Sequence, residues 1–186
     1  MYCRPAEKKD SVEAAYLIHL AIKDIADALT GEKETDKIRA ELAHLFQQEN
    51  NRLSYQNCLV IEEHKKVIGI AIAYAGDDAE KLDKPIIERL IKKTGNNHIQ
   101  LDKEAEPGDY YIDTVSVHPL GQGKGIGSLL FKEVEKLAKS KGFHQLSLNV
   151  AEDNPRAKKL YTRLGYKKDK VIEITGHEYD YMIKTI

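Results

Sequence analysis

The chain has 186 residues, 41% hydrophobic and 32% charged, with a formal net charge of −1. That length suits one well-buried domain and is short for two, and the balanced charge gives no global case for nucleic acid or a membrane surface. Met1 to Asp10 has no apolar run suited to a signal peptide, and no segment approaches the roughly 18 apolar residues of a membrane span. Cys3 and Cys58 have neither metal-ligand spacing nor the density of a disulfide framework, so a cytoplasmic protein with reduced thiols and no metal site is expected.

Tyr2 to Ala6 reads as a short first strand. Asp10 with Glu13 three residues on has the pattern of a capping box. Ala15, Ile18, Ile22, Ile25 and Leu29 share one face, which predicts a single helix ending at Gly31. A second helix is predicted from about Asp36, with Ile38, Leu42, Leu45 and Phe46 on its buried side. Cys58 to Ile61 and Val67 to Tyr74 then form a predicted hairpin around the charged segment from Glu62 to Lys66.

Residues 76–109 break this rhythm and read as an insertion. Within it Asp83 is a candidate cap for a helix with Pro85 in its first turn, an apolar face of Ile86, Ile87, Leu90 and Ile91, and a stop at Gly95. A functional loop and a solvated structural excursion both fit such a segment. Beyond it come a strand to Val117, a helix carrying Ile126, Leu129, Leu130, Val134, Leu137 and Ala138, and a strand from His144 to Val150. In that last strand Gln145, Ser147 and Asn149 point away from the apolar set, toward something polar or empty. Asn154 and Pro155 start another helix as cap and first residue, and the segments 166–174 and 179–186 close the chain as two strands.

The stretch from Asp113 to Ser128 joins a strand, a glycine-rich loop and a helix start. Glycine recurs at every second position from Gly121 to Gly127. Such loops let the main chain approach a ligand, and the unpaired N–H groups of a first helical turn favour phosphate. A dinucleotide fingerprint fails, because Ser128 stands at its last position and no acidic residue follows about 20 positions on. An NTPase phosphate loop fails too, since Lys124 precedes Gly125 rather than Ser or Thr.

What remains is Gln122-x-x-Gly125-x-Gly127, which resembles the pyrophosphate loop of the GNAT superfamily of acetyl-CoA-dependent N-acetyltransferases. Arg4-Pro5-Ala6 with Asp10 resembles that family's opening, Val115-Ser116-Val117-His118-Pro119 its fourth strand, and Asn154-x-x-Ala157-x-x-x-Tyr161-x-x-x-Gly165-Tyr166 its second cofactor motif. The resemblance implies an α/β (α+β) fold: a mixed, mostly antiparallel sheet flanked by helices, with splayed fourth and fifth strands, in one domain over residues 1–186. It also implies transfer of acetyl from acetyl-CoA to a primary amine on a small molecule or peptide, by direct attack in a ternary complex. A homodimer is compatible with it. A non-catalytic acyl-CoA sensor or interaction module stands as the rival.

On the family pattern the pyrophosphate would sit on Gln122, Gly123, Lys124, Gly125, Ile126, Gly127 and Ser128, with the pantetheine arm along Val115 and Val117. Asn149, Asn154, Arg156 and Lys159 would line the cofactor, the last two near its 3′-phosphate. Tyr161 matches the tyrosine that protonates the departing thiolate; on its own spacing it reads as a core aromatic. Asn154 has a sufficient reason to exist as a helix cap. Where several family members carry a fifth-strand glutamate, this chain has Asn149, which cannot accept a proton. Asp113, expected on one face with Val115 and Val117, is then the candidate base, with fixing a neighbouring loop as its other role. Without a strong base, an α-amino group of pKa about 7.7 to 8.0 is an easier acceptor than a lysine amine near 10.4. His118 reads as the strand's exit and His177 as a turn residue. The basic group Arg156, Lys158, Lys159, Arg163, Lys167, Lys168 and Lys170 is the one local feature that would suit an acidic partner.

Overall fold

The computed structural model describes residues 1–23 and 25–186. Seven strands form one sheet: β1 (Tyr2–Pro5), β2 (Cys58–Glu63), β3 (Lys66–Ala75), β4 (Tyr110–Val117), β5 (Gln145–Ala151), β6 (Lys167–Ile174) and β7 (His177–Thr185). Their order is β1-β2-β3-β4-β5-β7-β6, antiparallel throughout except for β4 beside β5. The mixed, mostly antiparallel sheet is as the sequence led us to expect. The β2–β3 turn is tight because His64 and Lys65 both take positive φ, the geometry that matches the twist of a hairpin.

One face of the sheet is covered by α1 (Ser11–Ile22), α2 (Ile25–Thr30), α3 (Thr35–Gln47) and α4 (Ala79–Thr94). Its core includes Leu17, Ile18, Leu42, Phe46, Ile70, Ile72, Tyr74, Ile86 and Tyr111. The other face is covered by α5 (Ile126–Ser140) and α6 (Pro155–Arg163), with a core that includes Ala71, Ala73, Tyr110, Ile112, Ile126, Leu130, Phe131, Leu148 and Tyr166. The period-2 alternation of β3 is what serves both layers: Ile70, Ile72 and Tyr74 face the first, Ala71 and Ala73 the second.

Three local expectations need correcting. The predicted first helix is divided into α1 and α2, with Lys23 at φ 43° closing α1. Asp10 does not cap α1 with its side chain; it accepts two hydrogen bonds from Arg4, at 2.7 and 2.8 Å, and one from the Glu7 N–H at 2.8 Å. Arg4 also reaches Glu62 at 2.7 Å, so the opening motif clamps β1 to β2 and to the start of α1. Burial pushes the Asp10 carboxyl up, but the bonds from Arg4 and Glu7 outweigh it and hold it below the usual carboxylate range. Finally, α4 starts at Ala79, so Asp83 is a helix-interior residue and Pro85 lies inside the helix.

The insertion is part of the packed structure. Leu82, Ile86, Leu90 and Ala105 are buried in the first core, with Ile99 and Leu101 against it. Its two ends meet where the Gly76 N–H donates to the Asp109 carbonyl at 2.8 Å; a Cβ at Gly76 would stand 1.9 Å from the Glu106 carbonyl oxygen. Further along, Asp102 accepts from the Thr175 N–H at 2.8 Å, and Glu106 pairs with Lys170, tying the insertion to the β6–β7 hairpin.

Candidate active site

The parallel pairing of β4 with β5 covers only Tyr110↔Leu146, Tyr111↔Ser147 and Ile112↔Leu148. Past Ile112 the strands diverge, while β3 continues along the other edge of β4 as far as Gly69↔Val117. The splay predicted between these strands is present. The His118 N–H donates to the Ile68 carbonyl at 2.9 Å, toward β3. Strand alternation therefore turns the N–H groups of Val117 and Val115 toward the opening.

The glycine loop lies at the end of this opening. Gln122, Gly123, Lys124 and Gly125 are exposed, and Gly123 and Gly125 take φ 79° and 78°, backbone that side chains rarely tolerate. In α5 the Leu129 N–H is bonded to the Gly125 carbonyl at 3.0 Å, so those of Ile126, Gly127 and Ser128 precede the helical ladder. A Cβ at Gly127 would meet only Val117, at 4.0 Å, which leaves room between helix start and strand. With Lys124 beside them, these donors fit a pyrophosphate.

On α6 the Asn154 side chain accepts from the Ala157 N–H at 3.1 Å, the capping role. The Tyr161 ring packs edge-on against Phe131 at 5.4 Å, and no hydrogen bond of its hydroxyl occurs among the described residues. Burial raises its pKa, so the phenol holds its proton at neutral pH. The core and acid roles weighed for this residue are thus compatible. The basic cluster divides: Lys158 and Lys168 each reach Asp180 at 2.7 Å and Lys170 pairs with Glu106, whereas Arg156 and Lys159 are exposed and unpaired among the described residues. His118 accepts the Leu120 N–H through Nδ1 at 3.2 Å and stacks on Tyr16, which makes it a turn-forming residue. His177 is exposed at the start of β7.

Asp113 is not placed as expected. β3 pairs Ile72 with Thr114 and Ala73 with Ile112, so Asp113 is the extra residue of a β-bulge. The bulge shifts the alternation, leaving Val115 and Val117 against the α5 core while Asp113 turns to the opposite face. There it accepts from Arg52 Nε at 2.8 Å, from Arg52 Nη2 at 2.6 Å and from Tyr74 at 2.8 Å through one oxygen, and from Thr114 at 2.8 Å through the other. Its side chain is only 4% exposed.

Arg52, invisible as a functional residue in the sequence, is the centre of this group. It also reaches Glu104 at 2.9 Å and Asp83 at 3.4 Å. Burial lowers its pKa, but Asp113 and Glu104 outweigh that and hold it above the ordinary guanidinium range. Tyr111 donates to Glu104 at 3.0 Å, and Asn149 Nδ2 lies 3.0 Å from both the Tyr111 hydroxyl oxygen and the Glu104 carbonyl. Asn149 thus faces the insertion, away from the glycine-loop helix. The polar face predicted for β5 is met in the same way at Gln145, which donates to Asp109 at 2.7 Å. No local signal marks Arg52, and Glu104 lies in a charged run that reads as solvated surface. A cleft of about 420 Å³ at Tyr74, Tyr110 and Lys141 opens at the far end of β4 from the glycine loop.

A family model described as the acetyltransferase (GNAT) family matches residues 21–166, well over half of the chain. The chain belongs to the GNAT family. Like other members it is an acetyltransferase enzyme. A solved acetyltransferase is 34% identical over the whole of both chains, with TM-score 0.81. An N-acetyltransferase from Staphylococcus aureus Mu50 is 28% identical, covering 98% of this GNAT chain and 100% of its own, with TM-score 0.83. Thialysine N-epsilon-acetyltransferase from Bos taurus is 44% identical over 55 residues, only 30% of this chain and 32% of that relative. No helix among the described residues is long and apolar enough to cross a membrane, and none of their His, Cys, Asp and Glu side chains form a metal-binding group.

Proposed function

We propose that the enzyme transfers acetyl from acetyl-CoA to a primary amine by direct attack in a ternary complex. The observation that carries this reading is the loss of β4–β5 pairing after Ile112↔Leu148, which opens a cleft beside a glycine loop and the N–H groups of a helix start that precede its ladder. The N–H groups of Gly123 to Ser128, with Lys124 and Gln122, would hold the pyrophosphate, and the main chain at Val115 and Val117 the pantetheine amides. Arg156 and Lys159, both exposed and unpaired among the described residues, would be cations suited to the 3′-phosphate. Acetyl-CoA supplies an activated acetyl group. The Val117 N–H would stabilise negative charge at a carbonyl oxygen in the cleft, and the Tyr161 phenol would donate to the leaving thiolate. Asn154 contributes by starting α6, which carries Tyr161.

Release of free CoA from acetyl-CoA across a panel of amines tests this. The expected result is amine-dependent turnover, slowed by roughly 10- to 100-fold in Tyr161→Phe with CoA affinity kept. The range is modest because a thiol of pKa about 8.5 leaves without much assistance. Tight CoA binding with no turnover on any amine would overturn the proposal.

A further inference from the structure

We infer that the insertion supplies the catalytic carboxylate that β5 lacks: Glu104 accepts the proton of the incoming ammonium. The inference rests on the acetyltransfer reading above and adds a residue to it. Tyr111 and Asn149 mark the place where β4 and β5 part, since Tyr111 lies in the last paired steps and Asn149 is the first β5 residue beyond them. Both hold Glu104 there. Asn149 Nδ2 lies 3.0 Å from the Glu104 carbonyl, Tyr111 donates to Oε2 at 3.0 Å, and Arg52 reaches the same oxygen at 2.9 Å. A carbonyl can only accept, so it fixes which end of the Asn149 amide is nitrogen. Asn149 Oδ1 is then left buried with no partner, an acceptor at the fork of the strands. No hydrogen bond among the described residues occupies Glu104 Oε1, and the side chain is 13% exposed.

The charges around Glu104 favour a cation. On the elements packed against it stand Arg52, Tyr74, Asp83, Tyr111 and Asp113, which with Glu104 itself amounts to three carboxylates and one guanidinium. Arg52 is shared among all three. The shortage of positive charge registers at Asp83, which is pushed up to about 6, first by burial and then, against the pull of Arg52, by Asp113 and Glu104. An ammonium at the fork would supply the missing charge, and Asn149 Oδ1 would accept from it.

The step balances as follows. One N–H bond of the ammonium breaks and its proton passes to Glu104 Oε1; the freed lone pair forms the N–C bond to the acetyl carbon as the C–S bond breaks. The thiolate takes the Tyr161 proton, the second proton lost by nitrogen restores the phenol, and Glu104 releases its proton to solvent. A carboxylate here removes the sequence-based preference for weakly basic acceptors, because an amine of pKa about 10.4 can be deprotonated in place.

The test compares Glu104→Gln and Glu104→Asp with the native chain, using a lysine side-chain amine and an α-amine as acceptors. Glu104→Gln is expected to lose about 100-fold in kcat with the lysine amine at pH 7. It should lose less with the α-amine and recover as pH rises toward the amine's own pKa, while Glu104→Asp stays within about tenfold of native. CoA affinity measured by calorimetry and the melting temperature should stay close to native. Equal losses on both amines at every pH, or a Gln variant as fast as native, would overturn the inference while leaving acetyltransfer intact. A native chain that acetylates no amine would overturn both. If the Gln variant does not fold, the pH profile of Glu104→Asp decides, and an unshifted profile counts against the role.

Discussion

The two sides of the β4–β5 fork are built on opposite plans. On the α5 side the site is main chain: exposed glycines, the free N–H groups of a helix start and one strand edge. On the α1 side it is side chain: Arg52, Asp83, Glu104 and Asp113 converge from a loop, a helix, the insertion and a strand. The first arrangement can hold a ligand shared by a whole family, because backbone donors need only the right loop shape. The second depends on each side chain and its long-range partners, and under the proposed function it faces the acceptor.

Three substitutions would break or sharpen that contrast. The largest effect is expected from Arg52→Met, which leaves three carboxylates crowded without their cation. Breaking a buried pair from one side costs about 3–5 kcal/mol, so chemical denaturation should show a loss of that order, and a loss below about 1 kcal/mol would mean the group is not a cooperative unit. Gly125→Val strains a residue held at φ 78° but touches nothing, since a Cβ there meets no atom within 4 Å. Strain of that kind costs about 1–3 kcal/mol. We expect CoA affinity to fall at least tenfold, read by calorimetry, with the melting temperature only modestly lower. Affinity equal to native would remove the loop from the cofactor site.

The smallest effect is expected from Asp83→Asn, and its sign is the informative part. The folded-state pKa of Asp83, about 6, lies above the ordinary value of 3.8, so the folded chain binds this proton more tightly than the unfolded chain. The group's contribution to stability is therefore largest at low pH and is lost as pH rises through about 6. The amide variant should gain up to about 2 kcal/mol over native at pH 8 and little at pH 4, by thermal unfolding at the two values. A variant less stable than native at pH 8 would show that the Arg52 contact outweighs the crowding.

The same division explains what the sequence disclosed. The glycine loop, the Asn154 cap and the Tyr161 motif are short-range patterns whose partners lie within a turn or two, so their spacing carries their meaning. Ile38, Leu42, Leu45 and Phe46, and Leu146, Leu148 and Val150, were legible as buried faces for the same reason. The Arg52 group was not, because its members are scattered over 62 positions from Arg52 to Asp113 or, with Asn149, further still. Asp113 failed as a facing residue because a bulge is a property of two strands together, and β4 alone does not announce it. The break after Ile22 was hidden by continuous helical spacing on both sides.

The extra residue at Asp113 also acts as a change of phase. Upstream, Tyr110 and Ile112 belong to the α5 layer as even-numbered positions; downstream, Val115 and Val117 belong to it as odd ones. The same β4 residues paired without the bulge would exchange inside for outside along the second half, presenting Ser116 to the α5 layer and taking the Val117 amide out of the fork. The bulge is thus as specific a message as the residues on either side of it.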